Sequence, residues 1–299
     1  MSDSSQTVAR YDPLATISPA NYRNATSLAD AVSVSSNDVG YASSERERFV
    51  SVVSSNSAGQ DGLETIHLVE THTSEGISGN SRLVALNGAQ GSEMETFRLL
   101  AARLRHLQAQ TQLKLLHLSS SVENEGKSVI SANLALTLAR SMEKVLLIEG
   151  DLRRPCFNRL LGLNNGRHGL VDYLAGDEPI TNVVSRLKNP PLWVLPAGES
   201  LASPLDLLQS QRLSNLVKII SGIFDWVIID SPPLIPFADA NVWARFADGT
   251  LLVVRPGVTP KKVLQRATSS PDKLKLVGVV VNDSSVRDQY GSKEPWHTL

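Results

Sequence analysis

Residues 119–129 read SSSVENEGKSV, and the fold of the chain is decided at this stretch. An apolar run precedes it, its residues 126–128 are Gly-Lys-Ser, and a segment of helical character, 130–142, follows. Strand, loop and helix in this order are the context in which the pattern G-x-x-x-x-G-K-[ST] binds phosphate. Ser121 stands where that pattern has its first glycine, so a plain charged loop entering a helix stays open as an alternative.

Five further short apolar runs are separated by segments of helical character. Each run has about the length of a buried strand. Because buried strands that alternate with helices form parallel sheets covered on both faces, we predict a doubly wound, mostly parallel α/β domain of the P-loop NTPase type. Ligands of such domains bind at the carboxyl ends of the strands. The six runs are 113–118, 145–148, 192–195, 226–229, 251–254 and 277–281.

Charged residues follow two of these runs directly. The run 145–148 is followed by EGDLRRP (149–155), and the run 226–229 is followed by Asp230. Charges beyond a buried strand are costly unless they are paired or bound to a cation. Either site alone could be an ordinary turn or helix cap, but together with 119–129 they favour one ligand site.

The composition excludes several classes of protein. The formal net charge of −1 and the scattered Lys and Arg residues do not predict a nucleic-acid binder. Cys156 is the only cysteine, so an internal disulfide is excluded, and no Cys and His residues have zinc spacing. The apolar runs fall well below the roughly 20 residues of a membrane span, and the N-terminus lacks a secretory pattern. We therefore expect a cytoplasmic protein without its own membrane span.

The chain divides by composition into three parts. Residues 1–80 are rich in Ser, Asn, Thr and Gly and predict a disordered arm. Residues 81–285 predict the P-loop domain, and residues 286–299 a short flexible tail. The domain is expected to open with an amphipathic helix over 93–107. Its apolar face carries Phe97, Leu100, Leu104 and Leu107.

The stretches SSSVENEGKSV, VLLIEGDLRRP and WVIIDSPPL resemble the Walker A, A′ and B motifs of the bacterial tyrosine kinases of capsule and exopolysaccharide synthesis, relatives of the ParA/MinD ATPases. The similarity runs from about residue 83 to residue 282, with the motifs in the family's order. It implies an ATP-dependent protein-tyrosine autokinase that regulates polysaccharide polymerisation and export.

The resemblance also implies roles for individual residues, with ATP and Mg²⁺ as cofactors. Glu149 takes the place of the Walker A′ aspartate that accepts the proton of the attacking tyrosine hydroxyl. The catalytic residues would be Lys127, Glu149, Asp151 and Asp230. Mg²⁺ or its waters would be held by Ser128, Asp151 and Asp230. The nucleotide would contact Asn124, Glu125, Gly126, Lys127, Ser128, Val129, Arg153 and Asn282.

Three positions of the site motifs depart from the family's pattern. Glu123 and Asn124 stand where the family loop has Pro-Gly, and of these Asn tolerates a positive φ comparatively well. A carboxylate about 4 Å from a phosphate charge would cost roughly 1 kcal/mol in water and about 4 kcal/mol at an effective dielectric constant of 20. Glu149 is one methylene longer than Asp, and a shift of about 1 Å can lower a rate a hundredfold. The sequence therefore predicts weak kinase activity.

The remaining expectations concern partners and acceptors. The family's E-x-x-R-x-x-R helix is matched here at Glu95 and Arg98 but not at Ala101, which leaves homo-oligomerisation open. Tyr290 is the single tyrosine of the tail and the candidate phosphoacceptor. The resemblance implies a separate membrane protein, a polysaccharide co-polymerase that controls chain length and recruits the kinase to the inner membrane face. Two alternatives stay open: a nucleotide-binding regulator of that co-polymerase with weak or no kinase activity, and a ParA/MinD-type ATPase.

Overall fold

The computed structural model describes nearly all of the chain between residues 82 and 282. The described residues are 82–86, 92–163, 168–269 and 274–282, with the backbone of three short strands, β1 (Val50–Val53), β2 (Thr65–Leu68) and β3 (Thr73–Ser74). Apart from these strands, the segment predicted as a disordered arm lies outside the described residues. The predicted tail, with Tyr290, also lies outside them.

From residue 92 onward the described chain alternates between helical and strand segments, some of which contain two or three consecutive helices or two strands. The helices are α1 (Ser92–Thr111), α2 (Lys127–Ala139), α3 (Phe157–Leu161), α4 (Leu170–Ala175), α5 (Ile180–Val183), α6 (Leu205–Leu208), α7 (Gln211–Ile223), α8 (Asp239–Phe246) and α9 (Lys261–Ala267). The strands are β4 (Leu115–Ser120), β5 (Val145–Glu149), β6 (Ser185–Leu187), β7 (Leu192–Leu195), β8 (Trp226–Asp230), β9 (Gly249–Val254) and β10 (Leu276–Val281).

One large sheet contains eight of the described strands, in the order β10-β9-β4-β8-β5-β7-β6-β3. Neighbouring strands run parallel except β6 and β7, which are antiparallel. The predicted mostly parallel sheet is therefore confirmed, and all six predicted runs form strands. Strands β6 and β3 of this sheet were not predicted. The three residues of β6, Ser-Arg-Leu, contain no apolar run, and β3 consists of two residues, Thr-Ser, within the segment predicted as a disordered arm.

Alternate residues of the central strands pack on opposite faces of the sheet. In β5, Val145 and Leu147 belong to the core beneath α1, α2 and α3, whereas Leu146 and Ile148 belong to the core beneath α4, α7 and α8. Strand side chains alternate between faces with a period of two. Both faces are thus covered by helices, as the doubly wound prediction requires.

Helix α1 packs the predicted apolar face against the first core. Leu104 is fully buried, and the other three residues of that face, Phe97, Leu100 and Leu107, are partly buried against the same core. Helix α1 in turn covers α2, in which every residue from Ile130 to Ala139 is buried. Helix α2, which begins at the phosphate-loop sequence, is therefore packed between α1 and the sheet.

The strand register brings the polar strand ends together at one edge of the sheet. Asp230 at the end of β8 pairs in register with Leu118 of β4 on one side and with Glu149 of β5 on the other. The residues that follow β4, β5 and β8 therefore converge, as predicted from the parallel sheet. None of the described helices has the length and apolar content that a membrane span requires.

Candidate active site

The loop between β4 and α2 curls through two residues with left-handed backbone angles. Asn124 has a φ of 62° and Gly126 a φ of 87°. The prediction that Asn124 tolerates the positive φ of the family's glycine is confirmed. A Cβ atom at Gly126 would lie 2.2 Å from Nδ2 of Asn282, so this position requires glycine for space as well as for φ.

Helix α2 begins directly after this glycine, three residues earlier than predicted. The backbone N–H groups of Val129 and Ile130 already donate to the carbonyl of Gly126, each at 3.1 Å. The N–H groups of Lys127 and Ser128 precede this first helical hydrogen bond and have no acceptor within the helix. A helix N-terminus with free N–H groups after a curled loop is a favourable place for a phosphate group.

The Lys127 side chain forms an ion pair with Asp151, which follows β5. Nζ of Lys127 lies 3.1 Å from Oδ2 of Asp151, and the two side chains are only 14% and 7% exposed. Burial lowers the pKa of Lys127, but the charges of Asp230 and Asp151 outweigh it and raise the pKa. Lys127 is therefore held as a cation at the start of α2. The other Asp151 oxygen, Oδ1, accepts the Arg154 backbone N–H at 3.2 Å.

Asp230 is a buried carboxylate with one unsatisfied oxygen. Its Oδ1 accepts a hydrogen bond from Ser131 Oγ at 3.1 Å, and the Ser128 hydroxyl lies close enough to lower the pKa of Asp230, but Oδ2 is buried and has no hydrogen bond of regular geometry among the described residues. Burial raises the pKa of Asp230, and the charge of Lys127 opposes this shift. A buried acceptor oxygen without a partner is costly. Asp230 is thus suited to a cation or to a water molecule bound to one.

A bound Mg²⁺ fits this donor set only if other oxygen atoms join it. Within the described ranges, no group of three or more His, Cys, Asp and Glu side chains is arranged to hold a metal ion. Mg²⁺ is commonly held by one or two carboxylates together with phosphate oxygens and water. Ser128 and Asp151 line the cleft above Asp230, so the predicted set Ser128, Asp151 and Asp230 fits a magnesium ion that arrives with phosphate groups.

Glu149, the predicted proton acceptor, is buried and engaged by the backbone. Its Oε1 accepts the N–H groups of Cys156 and Phe157, the latter at 2.8 Å, and its Oε2 accepts that of Ala197 at 2.9 Å. Burial raises the pKa of Glu149 to about 7, against the lowering effect of these three donors. The raised pKa suits a base better than the ordinary one does. The occupied oxygens, however, give Glu149 a structural contact that the sequence did not predict.

Two arginines that follow β5 are engaged differently. Arg154 forms an ion pair with Glu123 of the loop, with side chains 65% and 33% exposed. This contact neutralises the carboxylate that the sequence placed near the phosphates. Nε of Arg153 lies 2.6 Å from Oδ2 of Asp239, and its guanidinium group stacks over the Phe237 ring at 4.6 Å. Arg153 lines the cleft, but its guanidinium group is already engaged by Asp239 and by Phe237, which also lines the cleft.

Glu125 and Asn282, two of the predicted nucleotide contacts, stabilise the loop through hydrogen bonds within the protein. The buried Glu125 side chain accepts the N–H of Val122 at 2.8 Å and a hydrogen bond from the Thr259 hydroxyl. Its backbone carbonyl accepts a hydrogen bond from Nδ2 of Asn282 at 2.9 Å. Neither side chain lines the cleft. Both tie the loop to the segments that follow β9 and β10.

Two residues near the site were missed by the sequence analysis. His117 is fully buried in β4, with Nε2 2.6 Å from Ser231 Oγ and Nδ1 3.1 Å from Thr250 Oγ1. Burial lowers its pKa to about 3, so it is neutral. A histidine inside an apolar strand was the signal for it. Cys156 lines the cleft, where burial raises its pKa to about 12.

These residues surround a cleft of about 610 Å³ at the carboxyl edge of the sheet. Its lining includes the predicted residues Asn124, Gly126, Lys127, Ser128, Val129, Asp151 and Arg153. Glu149 and Asp230 lie beneath it at the strand ends. A curled loop, a helix N-terminus with a lysine and a buried Walker B carboxylate at the edge of a parallel sheet define the class: this is a P-loop nucleotide-binding protein.

Comparisons with known proteins narrow this class. A family model described as an AAA domain matches residues 123–258. Tyrosine-protein kinase CpsD of Streptococcus agalactiae is 32% identical over 174 residues, which cover 58% of this chain and 75% of the relative. Tyrosine-protein kinase YwqD of Bacillus subtilis is 30% identical over 213 residues, which cover 70% and 90%. The kinase domain of Escherichia coli tyrosine kinase ETK matches with a TM-score of 0.63 and 26% identity, covering 72% of this chain and 84% of that domain.

The chain belongs to the family of bacterial tyrosine-protein kinases. The resemblance drawn from the three motifs is thereby confirmed. Of the three interpretations, the kinase is favoured over the nucleotide-binding regulator and over the ParA/MinD-type ATPase. The specific roles predicted for the site residues are tested neither by the relatives nor by the geometry alone.

Proposed function

We propose that this protein is an ATP-dependent protein-tyrosine autokinase that regulates the polymerisation and export of a capsular or extracellular polysaccharide. The observation that carries the proposal is the unsatisfied Oδ2 of Asp230, buried at the end of β8 beside the Lys127 and Asp151 ion pair. A site that binds a magnesium-bound phosphate group needs such an acceptor. Membership of the tyrosine kinase family supports the same conclusion.

The proposed roles follow from where the side chains lie. Free N–H groups at the start of α2 and the ammonium group of Lys127 bind phosphate oxygens, and Ser128, Asp151 and Asp230 hold Mg²⁺ or its waters. Mg²⁺, when bound, neutralises charge on the transferring phosphoryl group. Lys127 must exchange Asp151 for phosphate when the nucleotide binds. Glu149 stays the predicted acceptor of the tyrosine proton, and it would have to release backbone donors to act.

Lys127→Met tests this function. Wild-type protein incubated with Mg²⁺ and ATP is expected to gain phosphotyrosine, detected by antibody and by mass spectrometry of each tyrosine. Lys127→Met is expected to lose at least 100-fold in initial rate, since phosphates lose their main cation. Lys262→Met, an exposed lysine of α9, is the matched control and should retain the rate.

The same experiment distinguishes the kinase from the nucleotide-binding regulator. Nucleotide binding by calorimetry without any phosphotyrosine would favour the nucleotide-binding regulator. No nucleotide binding at all would contradict both. Phosphorylation at Tyr290 would support its proposed role as acceptor.

We also propose that the kinase acts at the inner membrane face with a separate polysaccharide co-polymerase. The resemblance to the capsule and exopolysaccharide kinases supports this, since such a partner would bring the kinase to the site of polymer export. Adding the cytoplasmic segment of the co-polymerase is expected to raise the rate of phosphotyrosine formation. An unchanged rate together with no binding would contradict the partnership while leaving the kinase proposal intact.

A further inference from the structure

One wall of the cleft carries positive charge beyond that of the phosphate-binding residues. Arg159 of α3 lines the cleft, is exposed, and forms no ion pair with the described residues. Of the described residues that line the cleft, Glu123 and Asp151 are the carboxylates, and each already holds another cation. The charge of Arg159 is therefore available to a ligand.

The sheet order puts this wall on the side away from the nucleotide base. Asn282, a nucleotide contact that the resemblance implies, lies against Gly126 on the β9 and β10 side of β4. Helix α3 follows β5, which lies on the opposite side of β4. Attacking and leaving oxygens are roughly in line in phosphoryl transfer. An acceptor hydroxyl must then approach from the side of α3.

The lining of the cleft also includes three apolar residues, Leu160, Pro233 and Phe237. Leu160 and Pro233 are largely buried, and the Phe237 ring is stacked beneath Arg153, so their exposed edges form a small apolar surface. An aromatic ring packs well against such apolar groups, and guanidinium groups bind carboxylates in a bidentate geometry. The combination fits a tyrosine whose flanking residues are acidic better than one with basic flanks.

We infer that the α3 wall of the cleft is an acceptor subsite that selects tyrosines flanked by Asp or Glu, with Arg159 as its specificity-determining residue. This inference rests on the proposed kinase function. In the chain itself, Asp288 lies two residues before Tyr290 and Asp12 directly follows Tyr11, but Arg287 and Arg10 are also close, so each tyrosine has a mixed flank with one carboxylate next to it or two residues away. Arg154 can add a second contact when it leaves Glu123.

Peptide binding tests the subsite independently of turnover. The full chain is loaded with Mg²⁺ and a non-hydrolysable ATP analogue, and fluorescent peptides carry Phe in place of Tyr with either Glu or Gln flanks. Wild-type protein is expected to bind the Glu-flanked peptide about tenfold more tightly. Arg159→Glu should reduce this preference to about twofold or less, and Arg159→Gln should give an intermediate value. Arg245→Glu, an exposed arginine of α8 outside the cleft, should keep it.

The outcomes that overturn the inference differ from those that overturn the kinase function. Equal affinity for both peptides, no peptide binding, or an unchanged preference in Arg159→Glu would each refute the acidic subsite. Tighter binding of the Glu-flanked peptide to the nucleotide-free protein than to the loaded protein would assign the arginines to the nucleotide and refute it too. Absence of phosphotyrosine with ATP would instead count against the proposed function.

Discussion

The effect of Glu123 on the phosphate loop depends on its ion-pair partner, Arg154. In the sequence it is an unfavourable charge within a phosphate loop. In the structure Arg154 holds its carboxylate across the mouth of the cleft. The repulsion that the sequence predicts between Glu123 and the phosphates is therefore reduced. Arg154 stays paired with Glu123 unless a ligand with a stronger negative charge competes for it. The pair is exposed, so its own contribution to stability is small.

Glu123→Gln should strengthen nucleotide binding. The change removes a negative charge near the phosphates and frees Arg154, so we expect the dissociation constant of an ATP analogue to fall about threefold to tenfold at low ionic strength. The gain should shrink in high salt, because charges at the mouth are screened. Calorimetry at two salt concentrations measures both effects.

The control for this experiment is Glu95→Gln. Glu95 pairs with Arg98 on the exposed surface of α1, outside the cleft, so removing its charge should leave nucleotide affinity unchanged. Weaker binding in Glu123→Gln would show instead that Glu123 orients Arg154 for the nucleotide.

His117 should make stability depend on pH. Its pKa is about 3 in the folded protein against 6.5 in the unfolded chain, so the unfolded chain binds the extra proton between these values. The stability that this group contributes is present above pH 6.5 and is lost as the pH falls. Between pH 7 and pH 5 the loss should be about 2 kcal/mol.

His117→Gln isolates this effect, since Gln can still bond to Thr250 and Ser231. Denaturant unfolding at pH 5 and pH 7 should show that acidification changes the unfolding free energy about 2 kcal/mol more favourably in the variant than in the wild type. The difference between the proteins is the measure, because Glu149, whose pKa burial raises to about 7, shifts stability in the opposite direction over the same range. His106→Gln, an exposed histidine of α1, serves as control and should match the wild type. An identical pH dependence in all three proteins would mean that His117 has the same pKa in the folded and the unfolded chain.

At the scale of elements, α3 is too short to be stable alone and depends on the carboxylate beneath it. Five residues fall well short of an independently stable helix. Glu149 accepts the N–H groups of Cys156 and Phe157 at its N-terminus and also that of Ala197 after β7. One side chain at the end of β5 thus fixes the helix that carries Arg159.

Glu149→Asp should loosen this helix. The carboxylate retreats by about one methylene, so the three backbone donors lose their acceptor, and we expect the unfolding free energy to fall by about 2 kcal/mol. Amide hydrogen exchange at Phe157 and Ala197 should become faster. Glu178→Asp, which shortens an exposed carboxylate bonded to Asn182, should change neither.

The same variant tests the catalytic prediction for Glu149. Lower kinase activity together with faster amide exchange would favour a positioning role for Glu149, because the α3 wall of the cleft would then have become mobile. Unchanged exchange with changed activity would assign Glu149 to proton transfer, as the family resemblance implies.

At the scale of the whole molecule, the sheet assembles the site from segments that are far apart in the chain. Strands β4, β5 and β8 are neighbours in the sheet, although the chain enters β8 only after β5, β6 and β7. Covering both faces with helices buries the strands and leaves their carboxyl ends as the exposed edge. The loop after β4 is also stabilised from the far side of the sheet. Glu125 of this loop accepts hydrogen bonds from Thr259, which follows β9, and from Asn282, which follows β10.

The amino-acid sequence by itself determined the fold class, the phosphate loop and the family, because these depend on local apolar periods and on motifs of contiguous residues. Only the tertiary structure decided where the charged side chains point. Arg154 and Glu123 are 31 residues apart, and Thr259 and Glu125 are 134 apart. Their pairing depends on distances that the folded sheet creates. Strand β6 escaped prediction for a related reason, since its position depends on pairing with β7 rather than on its own residues.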